Sequence, residues 1–515
     1  VNISENQIRG LIREVLDRFQ PAPGQGGASP SGGPAAGYGG APSGGGSSYA
    51  PVYSPPTHLD TAKRIPSPDL GLGVFETMDQ AIRAAKEAFP AFRSLKMTKR
   101  REIVEALRAA ALENAPDFAR GARDETGMGR VDHKIIKHEI VARLTPGPEI
   151  IEPKVFTGDR GLTLVDYAPF GVIGAITPST HPVPTLLCNA ICFLSGGNTA
   201  AFNSHPAAKR TFADALQKFN RVIQAHGGPP NVITTVMEPT IDTGKELFFH
   251  PDVALILVTG GPAVVAEALK APKRAVCAGP GNPPVVVDET ADLELAAREI
   301  INGAAFDNNI LCIGEKEVFV VEKVFEPLRQ AMRRVGCVEL ERHDIDRLAM
   351  EAFMLKSGSQ VISCSGARLN RELVGRDAWK LADAIGLKVP RETPMLIGEV
   401  PFEHAWVQEE QLMPFLPLVR VRDVWEGIDK AIAAEHNYRH TATIFSHNVK
   451  AMSEMARRLE VSIFVKNGPS YAGLGQGGEG YTSFSIATPT GEGLTTARTF
   501  CRERRCAMID KFRIV

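Results

Sequence analysis

The sequence predicts an α/β protein: two parallel-sheet domains clothed in helices, with a long extension in front of the globular body. Three observations carry this. From residue 168 short apolar runs alternate with helical patterns, as parallel strands joined by crossover helices do. Residues 75–145 show mainly helical spacing instead. The chain's 48 Gly and 37 Pro crowd its front, where residues 21–56 hold 11 Gly, 8 Pro and no charge.

In chain order, Ile8, Leu11, Ile12, Val15, Leu16 and Phe19 fall on one face of an amphipathic helix within residues 1–20. Ser4 and Gln7 offer it a capping box. Of the 36 residues in 21–56, 31 are Gly, Pro, Ser or Ala, so 21–57 reads as a disordered linker that cannot bury enough apolar surface to fold. A tethered helix of this kind either docks on its own body or serves as a ligand for a partner's groove. With three basic and three acidic residues it lacks the cationic face of a membrane-surface helix.

Helical spacing follows at 78–92 and 99–114. Next come a strand at 170–177, a helix at 182–194 closed by Gly196 and Gly197, a strand at 199–202 and a helix at 207–225. The series continues with a strand at 232–236, a helix at 240–249, a strand at 253–258, a helix from Pro262 and a strand at 275–278. A second series has strands at 284–287 and 317–321 and helices at 293–305 and 324–335. Further strands are expected at 416–421, 441–445 and 463–465.

Composition excludes several function classes. A net charge of −1 gives no basic field for nucleic acid. No apolar run reaches the ~18 residues of a membrane span, and the front alternates charges where a secretory signal needs an apolar centre. Eight cysteines without a CxxC pair fit a reduced, cytoplasmic compartment and argue against zinc or any other metal.

Two segments carry chemistry. Residues 257–264 lead a strand through Gly260 and Gly261 into a helix opened by Pro262; the glycines would let a phosphate approach, or they merely make a tight turn. In FDNNILC (306–312), Cys312 follows a polar turn and is either a small buried hydrophobe or a nucleophile.

These segments, with PFGVIGAITPS (169–179), SGGNTAAFN (195–203) and EEQLMPFLPLVRV (409–421), keep the order and spacing of the aldehyde dehydrogenase superfamily. The chain resembles that family from about residue 58 to its C-terminus. The resemblance implies a Rossmann-type NAD-binding domain at 58–150 and 168–276, a catalytic domain at 277–483, and oligomerisation strands at 151–167 and 484–515 that make a dimer or tetramer. It implies that Cys312 attacks the aldehyde and ends as a thioester, with Thr180 and Asn309 in the catalytic set. Thr177, Pro178, Ser179, Asn203, Thr259, Gly260, Gly261 and Glu410 are implied for the cofactor site, Glu410 at the nicotinamide ribose.

Departures from the ordinary family pattern point to one branch. Where a glutamate would activate water, this chain has Cys277, and losing a general base slows attack by water about 10²–10⁴-fold. A thiol needs less help. Thr180 replaces the usual oxyanion-donor Asn, so Thr180 or backbone N–H groups, that of Cys312 included, must serve. Asn203 replaces the usual ribose lysine. These features are similar to the CoA-acylating members, especially the propionaldehyde and acetaldehyde dehydrogenases of bacterial microcompartments. His181 stands where that branch usually has Asn, as a general base or as a residue filling the turn. The resemblance implies NAD and coenzyme A as cofactor and cosubstrate, propionaldehyde before acetaldehyde, a place in the microcompartment lumen, and an N-terminal helix that binds a shell protein. The rival expectations are a hydrolytic aldehyde dehydrogenase and a non-catalytic shell-associated scaffold.

Overall fold

The structure, a computed structural model, describes residues 69–354 and 369–513. The helix expected within 1–20 and the linker at 21–57 lie outside the described residues.

Six parallel strands form one sheet, in the order Val74–Phe75, Ile233–Val236, Thr199–Asn203, Val172–Ile176, Val253–Thr259, Ala275–Ala278. From Val172–Ile176 the next two strands in the chain step outward on one side and the following two on the other, so the winding reverses between that strand and Val253–Thr259. In doubly wound sheets, ligands bind outside the strands' carboxyl ends at this reversal. Here that crevice holds the turns at 177–181 and 259–261. Helix Pro182–Ser195 covers one face of the sheet and is buried along its whole length, as its apolar composition on every side requires. Met78, Ile82 and Leu247 pack on the opposite face.

Helix Met97–Thr126 runs well past the expected stop at 114, because Ala115, Phe118, Ala119 and Ala122 keep its buried face apolar. It ends at Gly127, whose φ of 69° is the left-handed cap that glycine supplies.

A second parallel sheet has seven strands, in the order Val338–Glu339, Leu396–Glu399, Phe415–Val421, Glu317–Val321, Pro284–Val287, Thr441–Phe445, Ile463–Lys466. Apolar clusters lie on its two faces. Three antiparallel strands, Lys154–Gly158, Gly161–Pro169 and Cys501–Ile509, make a separate sheet with Val155, Phe156, Met508 and Ile509 exposed.

Two expected boundaries move. The division at 276/277 falls inside strand Ala275–Ala278, which pairs with Val253–Thr259 in the first sheet. The expected arm at 484–515 begins its long strand only at Cys501, because Phe484, Ile486 and Phe500 are buried in the core of the first sheet's domain. Among the described residues no helix is long and apolar enough to cross a membrane, and no group of three or more His, Cys, Asp or Glu could hold a metal ion.

Candidate active site

The loop carrying Cys312 begins with an unusual backbone. Asp307, Asn308 and Asn309 have φ values of 51°, 56° and 66°, three successive residues in the left-handed region. Asp and Asn tolerate that region best among non-glycine residues, at a cost on the order of 1 kcal/mol each. Side chains hold it. Asn308 Nδ2 donates to the Gly375 carbonyl (3.0 Å) and Asp377 Oδ1 (2.9 Å). Asn309 Nδ2 donates to the carbonyls of Ala304 (2.8 Å) and Glu315 (2.9 Å). Lys316 Nζ donates to the Asn309 carbonyl at 2.7 Å and also reaches the Asn309 side-chain oxygen.

Asp307 is fully buried and forms ion pairs with Lys137 and, at 3.1 Å, with Lys134. Its Oδ1 accepts the Arg130 N–H at 2.7 Å, and its own N–H donates to His133 Nδ1 at 2.8 Å. Burial alone would raise the Asp307 carboxyl, but the two ammonium charges hold it well below the usual carboxylate range. Burial drags Lys137 down to about 8 although Asp307 pulls the other way.

Cys312 opens onto a cavity of about 180 Å³ at the sheet's reversal point. One wall carries Pro178, Thr180 and His181; another carries Thr259, Gly260 and Gly261; Glu410 and His440 close it. Apolar Ile310, Leu412, Leu474, Phe484 and Ile486 supply much of the remaining lining. Burial, and then the charge of Glu410, push the Cys312 thiol up to about 12, so at rest it holds its proton. Burial raises the Glu410 carboxyl and lowers Lys316 to about 8. His440 is lowered to about 4 by burial and the Lys316 charge, and His181 falls well below its ordinary value by burial and the two nearby lysines. Both imidazoles are therefore neutral near pH 7.

Cys277 leaves the cavity wall to Ala278 and Gly279; its side chain is buried in the cluster that includes Val258, Val265 and Ala268. Among the described lining residues Glu410 is the one carboxylate.

The crevice suits a dinucleotide. No described residue lies within 4 Å of a Cβ built on Gly261, and among the described residues one on Gly260 would meet only Val258 and Val264 at 3.9 Å. Packing does not demand glycine there, whereas a ligand backing onto the turn would. Thr259 Oγ1 is tied to Ser485 Oγ at 2.7 Å, which in turn donates to Asn189 Oδ1. Thr177 is buried, and among the described residues its hydroxyl oxygen has no hydrogen-bond partner.

Among the expected site residues, the structure gathers Pro178, Thr180, Thr259, Gly260, Gly261, Glu410 and Cys312 around one cavity. Thr177 lies buried behind this group, and Ser179 is half-buried outside the wall. Two expectations need correction. Asn309 does not face the cavity, because its polar atoms are spent bracing the loop. Asn203 does not line the cavity: its amide donates to the Thr240 carbonyl (3.2 Å) and its oxygen accepts the Thr243 hydroxyl (2.7 Å). Sequence reasoning missed Lys134, Lys137, Asp307, Lys316 and His440. Local pattern does not mark the first two: Lys134, Lys137 and His138 share a buried helical face with Val141, but in sequence so polar a face reads as solvated.

The profile of the aldehyde dehydrogenase family matches residues 70–337. An acetaldehyde dehydrogenase (acetylating) EutE of Salmonella typhimurium is 46% identical over 445 residues, covering 86% of this chain and 94% of the relative. A propanal dehydrogenase (CoA-propanoylating) of the same organism is 41% identical over 457 residues, covering 88% and 96%. The solved propionaldehyde dehydrogenase from the Clostridium phytofermentans fucose utilisation bacterial microcompartment superposes with a TM-score of 0.82 at 46% identity, covering 86% of this chain and all of that one. That of Rhodopseudomonas palustris with bound propionyl-CoA gives 0.82 at 43%, covering 85% and 96%. With a cysteine at the reversal point of a doubly wound sheet and these relatives along its body, the chain belongs to the aldehyde dehydrogenase family, among its CoA-acylating members.

Proposed function

We propose that this protein oxidises a short-chain aldehyde, propionaldehyde by preference and acetaldehyde second, to its acyl-CoA through a thioester on Cys312. The observation that supports it most is the place of Cys277: where hydrolytic enzymes of the family have a water-activating carboxylate, the thiol is packed into the core. Propanal and acetaldehyde dehydrogenases among the relatives, and the solved relative with propionyl-CoA, support the substrate class.

Cys312 gives its proton to solvent and its sulfur attacks the carbonyl carbon, breaking the C=O π bond to give the alkoxide of a thiohemiacetal. Thr180 and backbone N–H groups of the Cys312 loop face the developing oxyanion. Gly260, Gly261, Thr259 and Glu410 would hold NAD, which when bound supplies the hydride acceptor for oxidation to the thioester. Apolar Leu474, Phe484 and Ile486 suit an aliphatic chain and keep water sparse. His440 lines the cavity with its Nδ1 tied to Thr441 Oγ1 (2.9 Å) and, neutral near pH 7, would accept the proton of the coenzyme A thiol as that sulfur attacks. The CoA sulfur then displaces Cys312 from the acyl carbon.

The expected N-terminal helix would bind a shell protein and put the enzyme in a microcompartment lumen, the setting named for the Clostridium relative. The arm sheet with its exposed Val155, Phe156 and Met508 would join subunits into a dimer or tetramer.

Mixing enzyme, NAD and propionaldehyde tests the chemistry. With coenzyme A, NADH forms continuously; without it, formation stops after about one equivalent per active subunit. Sustained, equal turnover without coenzyme A refutes the proposal.

A further inference from the structure

Two lysines and an aspartate behind the cavity have no part in the steps above. Lys134 and Lys137 lie one turn apart on helix Val131–Leu144, and their side chains are 3% and 1% exposed. Both pair with Asp307, and both approach the Thr180 carbonyl at 3.4 Å. Asp307 opens the left-handed run that leads to Cys312; Thr180 sits on the turn that faces the oxyanion. The three charges therefore join the two loops that must be in register for attack on a carbonyl. Their seat is tightly built: a Cβ on Gly129, at φ 71°, would collide with the Asp307 carboxylate.

Two ammonium groups here face one carboxylate. His138 on the same helix and His181 at the start of the next are kept neutral by burial, and His133 accepts the Asp307 N–H. At Cys312 the charge of Glu410 raises the thiol, while Lys316 and then Lys137 lower it. For stability alone an apolar trio would serve as well or better.

The geometry points to Lys137 as a positioning residue: with Lys134 and Asp307 it locks the Thr180 turn to the Cys312 loop and keeps a buried positive charge at that joint. This rests on the reading of Cys312 as nucleophile.

The test uses the full chain as Lys137→Met and Asp307→Asn, with Lys134→Met as a second lysine variant should Lys137→Met not fold. Iodoacetamide labelling of Cys312 at fixed pH is followed by peptide mass spectrometry, beside steady-state kinetics. Lys137→Met should label more slowly, since Lys137 is one of the two cations that lower the thiol, and Lys134→Met should follow it through the lost lock. Their kcat should fall while KM for NAD stays nearly constant. Asp307→Asn should lose kcat through lost register yet label no more slowly than the wild type. A folded lysine variant with wild-type labelling and kcat overturns the proposal. So does a kcat loss that only tracks the folded fraction, with labelling unchanged. Cys312→Ala separates the two readings: an active Cys312→Ala enzyme refutes the nucleophile itself, whereas an inactive one beside an unaffected lysine variant refutes only the lock.

Discussion

The ammonium of Lys316 holds the backbone carbonyl of Asn309 at 2.7 Å, three residues ahead of the nucleophile. It is a buried cation spent on fixing a left-handed backbone. Lys316→Met leaves that carbonyl and the Asn309 side-chain oxygen without their donor. Each orphaned acceptor costs about 1–3 kcal/mol, so urea denaturation should show a loss of at least about 2 kcal/mol. kcat should fall with it; unchanged stability would refute this bracing role.

Gly129→Ala should be worse than its size suggests. The residue sits at φ 71° and its new Cβ would overlap the Asp307 carboxylate. The strain and the lost ion-pair geometry should together cost about 2–4 kcal/mol. The melting temperature and the yield of labelled Cys312 measure it, and a wild-type melting temperature would contradict the packed seat.

Cys312 at about 12 predicts a particular pH dependence in the free enzyme. Only the thiolate alkylates, so the rate should climb about tenfold per pH unit from pH 6 to 7.5 without levelling. A plateau below pH 7.5 would show a thiol already ionised and would contradict the apolar setting.

Acid should remove the stability that two buried histidines hold. His138 and His440 are depressed to about 4, chiefly by desolvation. Between pH 6.5 and 4 the unfolded chain binds a proton at each that the native one does not, so their contribution falls as pH drops through that window. Glu315, raised to about 7 by burial, works the other way over the same range. His138→Gln beside the wild type isolates the sign: its deficit in denaturation midpoint should shrink from pH 7 to pH 4.5, and a constant deficit would contradict it.

Deleting residues 1–56 should leave kcat and KM nearly unchanged while releasing the enzyme from a co-purifying shell fraction. Loss of folding on deletion would favour a helix docked on its own body.

How far the sequence could be read follows from the range of each interaction. Helix Pro182–Ser195 was legible because a continuous apolar run ending in two glycines leaves little choice. Cys312 and Glu410 were legible through motifs that keep their spacing. Lys134 and Lys137 were not, because a lysine in a helical pattern normally faces water, and the partner that buries these lies 170 or more residues away. His440 comes to the cavity from the second sheet and no local pattern announces it. The bonding of Asn203 is hidden for the same reason: Thr243, forty residues on, donates to its side-chain oxygen.

The most direct test of the thioester chemistry is the identity of the product. Enzyme, NAD and propionaldehyde are incubated with and without coenzyme A, and the products are identified by mass spectrometry. The mechanism predicts propionyl-CoA in amounts matching NADH, with only a trace of propionate. Free propionate formed at equal rates in both mixtures would contradict it.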